Sequence, residues 1–428
     1  MIDQGFVSLA NFGLGIVVAR LVSPTEFGAF GLAFAFYLVM LSIARGFATQ
    51  PLAIRFGGRD PAEFRRGAAQ ATGVALTIGL AGSAVCLAVA ILVSGVQGGV
   101  LIALAASLPG LLVQDAWRFT LFTSRRGSVA VVNDLLAVVV MAVLIGLVVA
   151  FGTASVFAMV LCWGFGAATA AIVGVIQTRV RPMPTLSLSW FREHWDITPR
   201  FLGSEVLLAV GAQAFLFAIG ALIGLAAVGS VRGAQLLLGP VYIMSVSAHM
   251  TMVPELSRMV STPARFQRIT HVSSGALLLV GIGWGLVVLL LPDAVGQEIL
   301  GESWPGARSV LLPIALSIII PLASVGPRIG LRALEEASRA LRAGIAQFVL
   351  TLSGGIGGAL IYGTVGAAWG LVLGTSLAGV WMYVEFWQAS RHHVARIELG
   401  GDTTSSVGQV PSAIDGPIRS DPPNQEPS

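Results

Sequence analysis

DQGFVSLANFGLGIVVARLVSPTEFGAFGLAF, residues 3–34, carries the reading of the fold. An apolar run over about 3–22 meets a short polar break, Ser23-Pro24-Thr25-Glu26, and a second apolar run follows over about 27–46. A helix needs roughly 20 mostly apolar residues to cross the hydrocarbon core of a bilayer. Two such runs joined by so short a turn read as a pair of membrane spans. The first contains Asp3, Gln4 and Asn11 and begins almost at Met1, compatible with a missing short leader. It leads straight into the next span, so it reads as a retained helix rather than a cleaved signal.

The pattern recurs along the chain. Further runs lie at about 68–93, 98–118, 129–151, 154–177, 200–225, 231–253, 272–291, 307–327, 342–362 and 365–387, giving about twelve transmembrane helices. Composition agrees: 55% of the 428 residues are hydrophobic and 11% charged, with a mean hydropathy of +0.85. A soluble domain carries about 25% charged residues. Half that share is too little polar surface for a water-facing globule.

Arginine placement gives an orientation. All 25 basic residues are Arg, and 22 fall on one side if the N-terminus starts there; only Arg20, Arg232 and Arg308 fall on the other. The positive-inside rule therefore puts both termini in the cytoplasm of a multi-pass protein of the cell membrane. The charges sit in loops between apolar runs, a pattern that does not suggest nucleic-acid binding. Cys86 and Cys162 lie inside apolar runs and read as buried small side chains.

The expected organisation is a six-helix lobe over 1–178, a cytoplasmic interfacial linker over 179–199, a second six-helix lobe over 200–390, and a disordered cytoplasmic tail over 391–428. In the linker, SLSWFREHWDI mixes Trp190, Phe191 and Trp195 with charge and reads as an interfacial helix with its aromatics at headgroup depth. The lobes align at an offset near 201. Gln4 then faces Glu205, Phe27-Gly28 faces Val228-Gly229, and Asn11 falls one residue from the Gln213 position. Six helices per lobe is even, so such repeats would be parallel, related by an axis along the membrane normal.

Three stretches carry a family resemblance. Residues 3–34 contain Ala19-Arg20, Pro24, Glu26 and Phe27-Gly28; VQDAWRFTLFTSRRG contains Gln114, Asp115 and Arg118; VGSVRGAQLLLGPVYIMSVSAHMTMVPELSR contains Arg232, Pro240 and Pro254. Together they resemble the bacterial polysaccharide flippases of the multidrug/oligosaccharidyl-lipid/polysaccharide (MOP) exporter superfamily, over about residues 3–390. The resemblance implies an all-α, MATE-like, V-shaped pair of pseudo-symmetric six-helix lobes around a central cavity. It also implies alternating access and a substrate of polyprenyl-pyrophosphate-linked oligosaccharide, moved to the outer leaflet for cell-surface polysaccharide synthesis. Its partners would be membrane lipids and the polymerases or glycosyltransferases of the same pathway.

Such a substrate sets a physical problem: a sugar chain and a pyrophosphate must cross hydrocarbon. Arg suits phosphate because its planar fork gives two parallel charge-assisted bonds. Arg45, Asp115, Arg118, Asp134 and Glu205 lie within about two turns of the cytoplasmic helix ends, and Arg328 and Arg332 end the tenth run. They read as an inner vestibule in which arginines hold pyrophosphate and acids tune them. Arginines at these depths also snorkel to headgroups and set topology. Asp115 and Arg118 share a helix face, while Arg118 could instead reach Asp134 across a short turn. Asn11 and Gln213, near mid-span, suit sugar hydroxyls or bonds between helices. Arg20 and Arg232 read as outer-gate or anchoring residues. His249 is a lone histidine near an inner helix end; it reads as a satisfied or interfacial histidine, with proton coupling the alternative. No metal-ligand spacing and no Walker-type loop occurs, so no cofactor is expected.

Other classes stand beside the flippase. A drug or cation antiporter of the same superfamily would need an unpaired deep acid, with Asp134 the best candidate. A peptidoglycan-precursor flippase would usually carry helices beyond twelve. A membrane glycosyltransferase or ligase would need catalytic groups in a sizeable outer loop, and the longest here offers only Asp293, Glu298, Glu302 and Arg308.

Overall fold

A computed structural model describes the backbone of residues 2–193, 210–211 and 213–405, and their side chains except at 2–10, 186, 249–250 and 396–405. The break in the opening stretch separates α1 (Ile2–Leu21) from α2 (Pro24–Ala44). It is a capping box. Ser23 Oγ accepts from the Glu26 amide at 3.4 Å, and the Glu26 carboxylate accepts from the Ser23 amide at 3.0 Å. Two orphan helix donors are thereby satisfied, and Pro24 presets the first turn.

α2 runs through a π-helical stretch, Arg45–Thr49, into α3 (Gln50–Phe56). Then come α4 (Pro61–Leu92), α5 (Val96–Thr123), α6 (Gly127–Ala150), α7 (Val156–Thr178) and the short α8 (Ser187–Glu193). The second half holds α9 (Gln213–Leu222), α10 (Leu225–Leu237), α11 (Gly239–Ser257), α12 (Pro263–Leu289), α13 (Asp293–Leu300), α14 (Trp304–Ile319), α15 (Val325–Ala333) and α16 (Ala337–Ser405).

Among the described residues, eight continuous helical stretches are long and apolar enough to cross a membrane, and α10 with α11, bent by 59°, makes a ninth. One of the eight is two arms, because α16 leaves helical geometry at Tyr362 and Gly363, where Gly363 has φ +59°. The arms fold back on each other through glycines: a Cβ on Gly358 would collide with the Gly366 carbonyl, and one on Gly370 with the Gly354 carbonyl. Small residues allow such close approach. With the arms separate, and α1 and α9 opening the two halves, the spans are the twelve read from the sequence. Ile91, Leu92 and Phe151 are more than three-quarters exposed, as lipid-facing side chains are. This is a multi-pass membrane protein.

Three apolar cores hold it together. One lies at the arginine-poor end and is continuous across both halves, joining Val18, Phe27 and Leu104 to Val228, Val231 and Ile314. The other two lie at the arginine-rich end and are separate. Leu52, Trp117 and Trp190 belong to one, and Val241, Phe266, Ile329 and Phe386 to the other. The two halves thus share one apolar core, and each adds a core of its own toward the arginine-rich end.

The linker differs from its expected place. Trp190 is fully buried, donates to the Phe47 carbonyl at 2.8 Å and stacks on Phe56, while Phe191 packs edge-on to Phe47. A π turn misplaces backbone acceptors, and the indole N–H satisfies one of them. These two aromatics therefore complete the first lobe's core instead of sitting among headgroups. Trp195 lies outside the described residues. The second arm of α16 continues to Ser405, past the 391 boundary, and the rest of the tail, 406–428, lies outside the described residues.

Candidate functional site

The lobes meet where α2 crosses α10. A Cβ on Gly28 would collide with the Leu225 carbonyl and lie 3.1 Å from the Gly229 nitrogen. A Cβ on Gly229 would collide with the Pro24 carbonyl and lie 3.3 Å from the Gly28 nitrogen. Pro24 with Leu225 and Gly28 with Gly229 are each 201 apart. The crossing is thus reciprocal, as a twofold axis requires. α1 adds to this seal: Arg20 pairs with Glu298 of α13 at 2.5 Å, and Gly301, at φ +56°, sits under the Arg20 backbone. Arg20 is therefore a half-exposed strut between lobes.

Directly below the seal, Arg232 of α10 reaches Gly31 of α2. Its Nη2 lies 3.4 Å from both the Gly31 carbonyl and Gln213 Oε1, and its guanidinium sits 5.6 Å from the Phe34 ring centroid. Gly31 and Arg232 keep the same 201 offset. Arg232 Nε is buried with no hydrogen-bond partner, and no described carboxylate pairs with the side chain. Gln213 of α9 thus bonds across helices, to Arg232 of α10. Asn11, half-buried on α1, has no hydrogen bond to a described residue. Glu205 and the side chains of Gln4 and His249 lie outside what is described.

Inside the first lobe the charges pair with one another. Arg45, which opens the π stretch, grips Asp115 with two parallel bonds of 3.0 and 2.7 Å and lies over the Phe119 ring. Arg118 Nε lies 3.3 Å from Asp134 Oδ2, both nearly fully buried, and Gln114 donates to Asp134 Oδ1 at 2.5 Å. Of the two partners open to Arg118, the structure selects Asp134 across the turn. Asn133, also buried, donates to the Ala170 carbonyl and to Gln177. A buried ion pair depends on bonds to its remaining polar atoms; Gln114 supplies one to Asp134 Oδ1, while Asn133 Oδ1 is buried without a hydrogen-bond partner.

The second lobe is different. Arg328 of α15 donates to Gln347 at 2.9 Å while its Nε is buried without a partner. Arg332, one turn on, is exposed and has no ion pair to a described residue. Farther out, Arg339 and Arg342 share Glu385. Sequence reasoning named the cations but missed Gln347, whose only signal is a lone amide within an apolar run.

Among the described residues, Arg232, Arg328 and Arg332 of the second half have no carboxylate partner, whereas Arg45 and Arg118 of the first half are paired. Two six-helix halves related by a twofold, sealed at one end, define the fold of the MOP-superfamily transporters. An inward-facing multidrug resistance MATE family transporter of that superfamily superposes with TM-score 0.70 at 16% identity, covering 91% of this chain and 94% of that one. The lipid II flippase MurJ in an inward closed conformation gives 0.66 at 13%, covering 96% and 93%. An outward-facing MATE family transporter gives 0.58 at 16%, covering 92% and 93%. A search of curated protein sequences finds no match. The family described as polysaccharide biosynthesis protein matches residues 17–309, and the chain belongs to that family.

Proposed function

We propose that this protein carries a polyprenyl-pyrophosphate-linked oligosaccharide from the cytoplasmic to the outer leaflet by alternating access. The observation that carries the reading is the reciprocal crossing at Gly28 and Gly229 with Arg232 directly below it, on the half that also carries Arg328 and Arg332; we infer from it a cleft that opens toward those arginines. Those guanidiniums lack carboxylate partners among the described residues. A dianionic pyrophosphate would complete them, entering at Arg332 and advancing to Arg232. The arginine-rich end faces the cytoplasm in this reading, by the 22-to-3 distribution. Family membership in polysaccharide biosynthesis and the fold support it.

The paired acids weigh against a cation antiporter. Asp115 and Asp134, the deep carboxylates, are each neutralised by an arginine. Two of the outer loop's three acids are likewise engaged, Asp293 by the Trp304 indole and Glu298 by Arg20, which weighs against glycosyl transfer there.

The test is transport in proteoliposomes loaded with the lipid-linked oligosaccharide, read as protection from an external glycosidase. Wild-type protein should expose the glycan on the opposite face, and the Arg232→Gln, Arg332→Gln double variant should not. Equal exposure without protein would sink the reading.

A further inference from the structure

A second basic site lies away from the cleft. We propose that a cavity at the arginine-rich end of the first lobe binds a phosphate group, and specifically the headgroup of an anionic phospholipid. The cavity, of about 610 Å³, is walled by the α3–α4 turn, the α5–α6 turn and the end of α7. Pockets of this size hold small ligands. Arg59, Arg65, Arg125 and Arg126 line it, and no described Asp or Glu does. Among the described acids, Glu63 meets one of them, Arg59, at 3.4 Å between two exposed side chains.

Arginines that merely set topology extend into water. Two of these are pinned. Arg65 donates to the Arg179 carbonyl at 2.8 Å, and Arg126 to the Gln177 carbonyl at 3.1 Å. Each keeps further N–H groups for a ligand. Arg125 occupies the left-handed position that ends α5, φ +59°, where glycine is the usual residue. Arg126 precedes α6, whose first turn has no side-chain cap, so the positive end of that helix opens beside the cluster. The hydroxyls in the wall donate inward, Ser124 to the Leu121 carbonyl and Thr123 to the Phe119 carbonyl, so recognition falls to the guanidiniums. Phe64 adds an apolar wall beside them. Basic pockets among helix ends at the inner surface are built to take phosphate headgroups.

The experiment uses the full chain in nanodiscs of phosphatidylcholine containing phosphatidylglycerol, with lipid retention read by native mass spectrometry after detergent extraction. The variant is Arg59→Gln with Arg125→Gln, since neither side chain pins a helix end. Wild type should retain phosphatidylglycerol over phosphatidylcholine, and the variant should lose it by roughly 25-fold, about fivefold per arginine. A second arm titrates inorganic phosphate onto protein in pure phosphatidylcholine; no binding is expected. Arginine-dependent binding of phosphate there, without retained phosphatidylglycerol, would keep the anion site but overturn the lipid as its source. A variant that retains phosphatidylglycerol like wild type, or that changes only its insertion topology, would overturn the site itself.

Discussion

Gly28 and Gly229 stand in backbone contact across the lobe boundary, and each occupies the place that a side chain on the other would need. Leu225 and Pro24, their collision partners, sit four residues before them, so both halves of the contact obey one offset of 201. The seal is a symmetric crossing of α2 and α10 in which only glycine fits. Gly28→Val should push the helices apart, at a cost of about 1–3 kcal/mol to the sealed state. Spin labels at Thr25 and Ala226, an exposed pair at the same offset, should report a longer and broader distance in the variant. An unchanged distance distribution would mean that the seal does not depend on close approach.

Arg118 and Asp134 form the most buried ion pair described. Removing one partner strands the other in a dry interior, a loss of about 3–5 kcal/mol. Arg118→Leu or Asp134→Leu alone should lower the melting temperature of the purified protein sharply, while the double variant should recover much of it. Equal losses in singles and double would show that the pair is not coupled. Arg45 with Asp115 should behave more mildly, because Arg45 is about a third exposed.

Much of this was legible in the sequence, for physical reasons. Span length and the 201 offset are one-dimensional signals, and the bilayer and the repeat turn them directly into structure. Trp190 was not legible. An aromatic among charges reads as interfacial, and only the π turn in α2, which has no sequence signature, creates the carbonyl that draws it inside. The choice between Asp115 and Asp134 for Arg118 was open for a similar reason: helix spacing allowed both, and the packing of α5 on α6 decided it.

Trp190 therefore tests the linker's role. Trp190→Phe keeps most of the volume but removes the donor to the Phe47 carbonyl, a penalty of about 1–3 kcal/mol for a stranded buried acceptor. Trp190→Ala should lose about 3–5 kcal/mol. Thermal melting of the two variants would order them in this way if the linker is part of the first lobe's core. Equal melting of both with wild type would return Trp190 to the membrane surface.

Arg332 and Arg232 separate binding from stability. Arg332 is exposed and unpaired among the described residues, so Arg332→Gln should leave melting unchanged. Arg232 sits under the seal with a buried, unsatisfied Nε, so Arg232→Gln should leave stability equal or improved. Both should weaken transport of a pyrophosphate-linked substrate, because a hydrogen bond to a charged group contributes about 1.5–3 kcal/mol, or roughly tenfold to a hundredfold in affinity. The two differ in where the loss appears. At the open mouth of the cleft, Arg332→Gln should raise the apparent KM, since it acts on capture. Beneath the seal, Arg232→Gln should lower the turnover rate, since the anion reaches it only as the lobes rock. Proteoliposome assays at several substrate concentrations would resolve the two, and a pure KM effect at Arg232 would place that residue at entry instead.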